Sequence, residues 1–214
     1  MQTIWGVFTI HEETGVASAP SLFSFLEWYQ PDVIFLELPP SAFNAFYGLC
    51  NPRSNLESRA VIPYRQQRPA VKLVPVDLVV PENFEHESKA FIERLAAESP
   101  DLCRLLDEKN RDERELGFPY LNSAESSQRW AKIYAVMEAT INQLQDPELT
   151  ERFESWNRTH ELRDQVMLDN IRQYCREHTF VKGVFLVGAA HSRSIIEKVT
   201  PPDGGDPDGI QWRI

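Results

Sequence analysis

Cysteine is scarce in this chain of 214 residues, which has three, Cys50, Cys103 and Cys175, and no C-x-x-C pair. That spacing argues against both a disulfide framework and a thiolate metal site. Long apolar runs are missing too, none approaching the roughly 18 residues that a membrane-spanning helix needs. Positive charge is in short supply, with 22 basic against 32 acidic residues and a net charge of −10. Such a balance opposes the counterion release that drives nucleic-acid binding, so no nucleic-acid partner is expected. No basic segment precedes the first apolar run in Met1-Gln2-Thr3-Ile4-Trp5. The opening therefore does not read as a signal peptide, and a cytoplasmic location is expected.

The remaining composition, 42% hydrophobic and 25% charged, is that of an ordinary globular chain, and one domain over 1–214 is expected. Four short β-branched runs stand out, each ending near an imidazole or a carboxylate. Thr3 to Ile10 stops at His11, Val33 to Leu38 carries Glu37, Val71 to Val76 stops at Asp77, and Val181 to Val187 leads through Gly188-Ala189-Ala190 to His191. Ligands of open α/β sheets collect outside the carboxyl ends of parallel strands. If these runs are parallel neighbours, His11, Glu37 and His191 should lie within roughly 8 Å of one another.

Helical periodicity fills the intervals. Leu22, Phe25, Leu26 and Tyr29 repeat at helical spacing from about Ser21, giving a βαβ unit with the run at Val33. Pro39-Pro40-Ser41 opens a helix bearing Phe43, Phe46, Tyr47 and Leu49, while 51–69 reads poorly as helix plus loop. From about 81 to 178 strand character is nearly absent. Phe84, Phe91, Leu95 and Leu102 suggest one or two helices, and Trp130, Ile133, Tyr134, Met137, Ile141 and Leu144 another. Asp146 as N-cap and Pro147 at the first helical position open a long helix to Glu177, its apolar stripe including Leu149, Phe153, Trp156, Leu162, Val166, Met167 and Ile171. A Pro/Gly/Asp-rich loop over 201–209 precedes a short terminal strand at Ile210, Trp212 and Ile214. The expected fold is α/β, a mostly parallel central sheet flanked by helices, with a helical insertion between strands three and four. Periodicity places Trp28, Tyr47 and Trp130 in the core, and His86 and His178 fall in charged helical segments where exposure is expected.

Phe8-Thr9-Ile10-His11, Phe35-Leu36-Glu37-Leu38, the segment Arg163 to Ile171 and Gly188-Ala189-Ala190-His191 occur in an order that resembles one superfamily. It joins TraB/PrgY pheromone-shutdown proteins, Tiki proteases, erythromycin esterases and ChaN-like proteins. That family pattern is G-x-x-H after the first strand, Glu at the end of the second, Arg-Asn or Arg-Asp then Met on a long helix, and a second G-x-x-H after a late strand. Phe8 stands here where the family usually has Gly, and Arg163-Asp164 looks more like the esterase and ChaN branches than the others. The resemblance implies a metal-dependent hydrolase acting on an amide or ester, an erythromycin-esterase-like hydrolase without metal, or a ChaN-like ligand-binding protein without chemistry.

The residues support the same alternatives chemically. His11, Glu37 and His191 form a two-His-one-carboxylate set suited to a divalent ion such as Mn, Co or Zn, which lowers the pKa of bound water. Without metal, His11 oriented by a carboxylate takes a proton from water while Arg163 stabilises the oxyanion. His160, Arg163 and Met167 share one helix face; the resemblance implies Arg163 as a substrate or oxyanion contact, and His160 is the further candidate substrate contact. Asp77, Asp164 and Glu12 are the expected partners behind these groups. The bland readings are a helix cap for Asp77 or His191 and a surface ion pair for Arg163 with Asp164, Glu161 or Asp169. The expected partner is a small-molecule or peptide substrate, and oligomeric state is left open.

Overall fold

A computed structural model of the chain describes residues 1–48, 53–81, 83–200, 206 and 208–214. Leu49, Cys50 and positions 201–205 and 207 of the expected loop lie outside the described residues. Five strands form one sheet: β1 (Thr3–Thr9), β2 (Val33–Leu36), β3 (Lys72–Pro75), β4 (Lys182–Gly188) and β5 (Gln211–Arg213). Their order is β3-β2-β4-β1-β5, and every pairing is parallel. The carboxyl ends thus carry Asp77, Glu37, His191 and His11 side by side in that order.

Successive residues of a strand face opposite sides, and both sides are covered. Phe8, Val33, Phe35, Phe185 and Val187 pack under Met167, Leu168 and Ile171 of α8 (Pro147–Glu177) and Ile195 of α9 (Ser192–Val199). Val7, Ile34, Leu36, Val184 and Leu186 pack under α1 (Ala19–Tyr29) and α3 (Leu56–Gln67) through Leu22, Leu26, Leu56, Val61 and Tyr64. This two-sided burial accounts for the unbroken apolar runs. The short α2 (Phe43–Tyr47) follows a 3-10 turn at Pro40–Ala42.

Helices α4 (Phe84–Glu98), α5 (Pro100–Leu116), α6 (Phe118–Leu121), α7 (Ala124–Leu144) and α8 lie between β3 and β4 in sequence. They have a core of their own, built from Phe91, Leu95, Leu102, Ile133, Met137, Ile141, Leu149, Phe153 and Trp156. Helix α8 belongs to both cores. Its first half packs in the insertion and its second half on the sheet, with Arg163 and Asp164 buried at the changeover. The Asp146 side chain accepts from Glu148 and Leu149 N–H and starts the helix where the sequence places it. Leu162, expected in the apolar stripe, is 56% exposed, because the neighbouring ion pairs fix which face turns inward. Trp28, expected in the core, is also exposed, at the end of an aromatic stack with Trp5, Phe25 and Tyr29.

Strand β5 covers β1 only as far as Trp5. Beyond it, Phe8 N–H donates to Asn122 Oδ1 at 2.8 Å, and Asn122 Nδ2 donates to Phe8 O at 3.1 Å. Among the described residues no helix is long and apolar enough to cross a membrane.

Candidate active site

Glu37 stands one residue past the end of β2, and its side chain is 5% exposed. Its Oε1 accepts from Arg163 Nη2 at 2.6 Å and lies 3.3 Å from His191 Nε2, while Oε2 accepts from Gly188 N–H at 2.5 Å. The fit at Gly188 is close: a Cβ there would sit 3.2 Å from Glu37 Oε2. The same point lies 3.8 Å from His191 Cδ2 and 3.9 Å from His11 Nε2, so these three groups converge as the strand pattern predicts.

Arg163 comes in from α8. Its Nε donates to Asp77 Oδ1 and Oδ2 at 3.3 and 3.1 Å, and Nη2 donates to Asp77 Oδ2 at 2.7 Å. Asp77, two residues past the end of β3, is thus an ion-pair partner and not a helix cap. Arg163 is likewise no surface ion pair; its fork of donors matches two carboxylates from adjacent strand ends. Asp164, the next residue, holds His191 Nδ1. All five side chains are nearly inaccessible, from 3% for His191, Asp77 and Asp164 to 8% for Arg163.

The charges follow from these contacts. Burial pushes the Glu37 carboxyl up, but His191, Arg163 and His11 together hold it well below the usual range. Burial pulls His191 down, yet Glu37 and Asp164 overcome this and raise it to about 9. It is therefore an imidazolium at neutral pH. Arg163 is stabilised as a cation by Glu37 and Asp77 against its own burial. His160 goes the other way, lowered to about 3 by burial and by the positive His191 and Arg163. Its neutral ring stands against Trp156 and His191, with centroids 4.6 and 4.9 Å away.

His11 differs from this buried set, since its side chain is 45% exposed. Its Nδ1 lies 3.2 Å from Glu57 Oε1, and the Thr9 hydroxyl donates to the same oxygen at 2.6 Å. Glu57 sits in the first turn of α3, whose start is fixed by the reciprocal Asn55–Ser58 capping box and by Leu56 N–H donating to His11 O at 2.9 Å. The sequence reading missed Glu57 and offered Glu12 instead. Glu12 is exposed, and the acid behind His11 is Glu57. Asn55-x-x-Ser58 with an acid inside the first turn was the available signal, in the segment that read poorly.

A cleft of about 280 Å³ opens above this cluster, lined by His11, Glu37, His160, Arg163, Gly188 and His191 on the sheet side. The insertion closes it with Phe84, Ile92, Lys109, Trp130 and Trp156. Lys109 Nζ is held by Glu113 at 3.0 Å and lies 5.1 Å from the Trp130 ring centre.

These donors do not fit a metal ion in this arrangement. Both ring nitrogens of His191 face carboxylates, Nε2 toward Glu37 Oε1 and Nδ1 toward Asp164 Oδ1. Glu37 already has the Arg163 cation on one oxygen and a backbone N–H on the other. Among the described residues, no group of three or more His, Cys, Asp or Glu is placed to hold a metal. The His11-Glu37-His191 set expected to hold a metal ion is arranged here as an ion-paired cluster with the Arg163 guanidinium against Glu37.

No protein-family model matches the chain, and no curated protein matches it. Among solved structures, it is similar to an erythromycin esterase variant in its open conformation, with a TM-score of 0.37 and 14% identity over 86% of this chain. The match spans 60% of that protein's length.

Proposed function

We propose that the protein is a hydrolase that cleaves an ester or amide without a metal ion, with His11 as the general base. The observation that carries this reading is the His11–Glu57 pair, a half-exposed imidazole on a cleft with its Nδ1 side held by a buried carboxylate. With the Glu57 carboxylate at Nδ1, His11 takes a proton from water through Nε2. The water attacks the substrate carbonyl, and His11 returns the proton to the leaving oxygen or nitrogen as the tetrahedral adduct collapses. Lys109 on the opposite wall supplies positive charge toward the developing oxyanion. Glu37, Arg163, Asp77, His191 and Asp164 hold the strand ends in place beneath the reaction.

The test is a screen of para-nitrophenyl esters and anilides with the wild type, His11→Ala and Glu57→Gln. Loss of the base should lower kcat/KM by about 10²- to 10⁴-fold, with the thermal midpoint nearly unchanged for so exposed a side chain. EDTA should leave the rate unaltered. Full activity in His11→Ala, or loss of activity in EDTA, would overturn the assignment.

One observation favours a second reading, a ligand-binding protein without chemistry. The five buried charged groups satisfy one another so completely that none is left to react. Absence of any turnover, with small-molecule binding retained in His11→Ala, would favour it.

A further inference from the structure

Strand β5 pairs with β1 from Thr3 to Trp5, and Asn122 bonds the backbone of Phe8. Between these two closures, the margin of β1 at Gly6 and Val7 borders a cavity of about 390 Å³. Leu22 and Phe25 of α1 form one wall, and Phe118 and Pro119 of α6 form another. The volume lies in the range of small-molecule sites, and so does the make-up of mostly apolar walls with a few polar groups. None of its lining residues belongs to the cleft at His11.

The end nearest β5 carries the charge. Trp5 and Arg213 are direct partners in the parallel register, so their side chains stand side by side on one face of the sheet, which Val7 shares two residues on. Trp5 and Arg213 both line the cavity. The Trp5 ring stacks on Phe25 and Tyr29, with centroids 5.5 and 5.3 Å away. Its Nε1 is nonetheless buried without a hydrogen-bond partner among the described residues, whereas a buried indole N–H ordinarily has an acceptor. Burial raises the Tyr29 pKa and the Arg213 cation opposes that rise, which puts the guanidinium beside the same aromatic stack. Two neighbouring donors, one of them cationic, at the edge of an apolar space suit an anionic acceptor on an apolar body.

We propose that this cavity is a second binding site, separate from the cleft, for an apolar monocarboxylate. The hydrocarbon part lies against Val7, Leu22, Phe25 and Phe118, and the carboxylate accepts from Arg213 and Trp5 Nε1. The site stands whether or not the cleft is hydrolytic, because the two share no residue.

Calorimetric titration with octanoate and with 1-octanol tests this on the wild type, Arg213→Met, Ser21→Trp and His11→Ala. Ser21 is exposed on the cavity wall, so the larger side chain fills the space from outside the core. Wild type should bind octanoate more tightly than 1-octanol by roughly fivefold or more, and Arg213→Met should bring the two level. Ser21→Trp should bind neither, and His11→Ala should bind as the wild type does. No octanoate binding in the wild type, equal binding of the acid and the alcohol, or a preference that survives in Arg213→Met overturns the proposal. So does octanoate binding that persists in Ser21→Trp. Binding lost in His11→Ala assigns the ligand to the cleft and overturns the proposal as well.

Discussion

At Glu37 burial and charge pull in opposite directions, and charge wins because His191, Arg163 and His11 reach it from three separate segments. Arg163 therefore holds the Glu37 and Asp77 carboxylates together. Arg163→Lys keeps the charge but cannot serve Asp77 and Glu37 together, which leaves a buried carboxylate short of a partner. Breaking such a pair costs about 3 kcal/mol, so the thermal midpoint should fall by roughly 10 °C, measurable by calorimetry. His191 gives a pH signature. Its pKa is raised from 6.5 to about 9 on folding, so its contribution is present in full below pH 6.5 and is lost as pH rises through 9. Urea unfolding at pH 6 and pH 10 should show an alkaline loss on the order of 3 kcal/mol from this group. Asp164→Asn should shrink that pH difference while lowering stability at pH 6. An unchanged difference would place the effect in another group.

Elements position these residues through their ends. Helix α3 delivers Glu57 only because its first turn is pinned, with Asn55 Oδ1 accepting from Ser58 N–H at 2.8 Å and Ser58 Oγ accepting from Asn55 N–H at 3.0 Å. Asn55→Ala should cost about 1 kcal/mol of stability. If Glu57 orients His11, the same change should lower kcat while leaving KM nearly unaltered, a split visible in steady-state kinetics. Equal kinetics with a lowered midpoint would make the cap purely structural. The strand ends were legible in the sequence, because an unbroken apolar run followed by Glu37, Asp77 or His191 leaves few other arrangements. The start of α8 was legible too, since Asp146-Pro147 is a local signal. Glu57 was not. Its role depends on a contact with Thr9 and His11 across nearly fifty positions of sequence, and no periodicity records that. The exposure of Leu162 escaped for a related reason: apolar spacing alone does not reveal that Arg163 and Asp164 claim the inward face.

At the scale of the whole molecule, the order β3-β2-β4-β1-β5 puts late strand β4 between the first two and so brings His191 beside Glu37. Four runs with ionisable ends point to convergence, but their lateral order is a tertiary outcome that their composition does not encode. The same order leaves β1 near the margin of the sheet, shielded by a three-residue strand and then by one amide. An open strand margin is a template on which another chain can add itself. Asn122 occupies the rung that an incoming backbone would use, donating and accepting at Phe8 as a peptide group does. Asn122→Ala should therefore expose that rung and promote concentration-dependent association of folded protein, detectable by light scattering well below the unfolding temperature. A variant that stays monodisperse would mean that the surrounding side chains already close the margin. If association appears, a single side chain governs colloidal behaviour from a position far along the chain from the strand it guards.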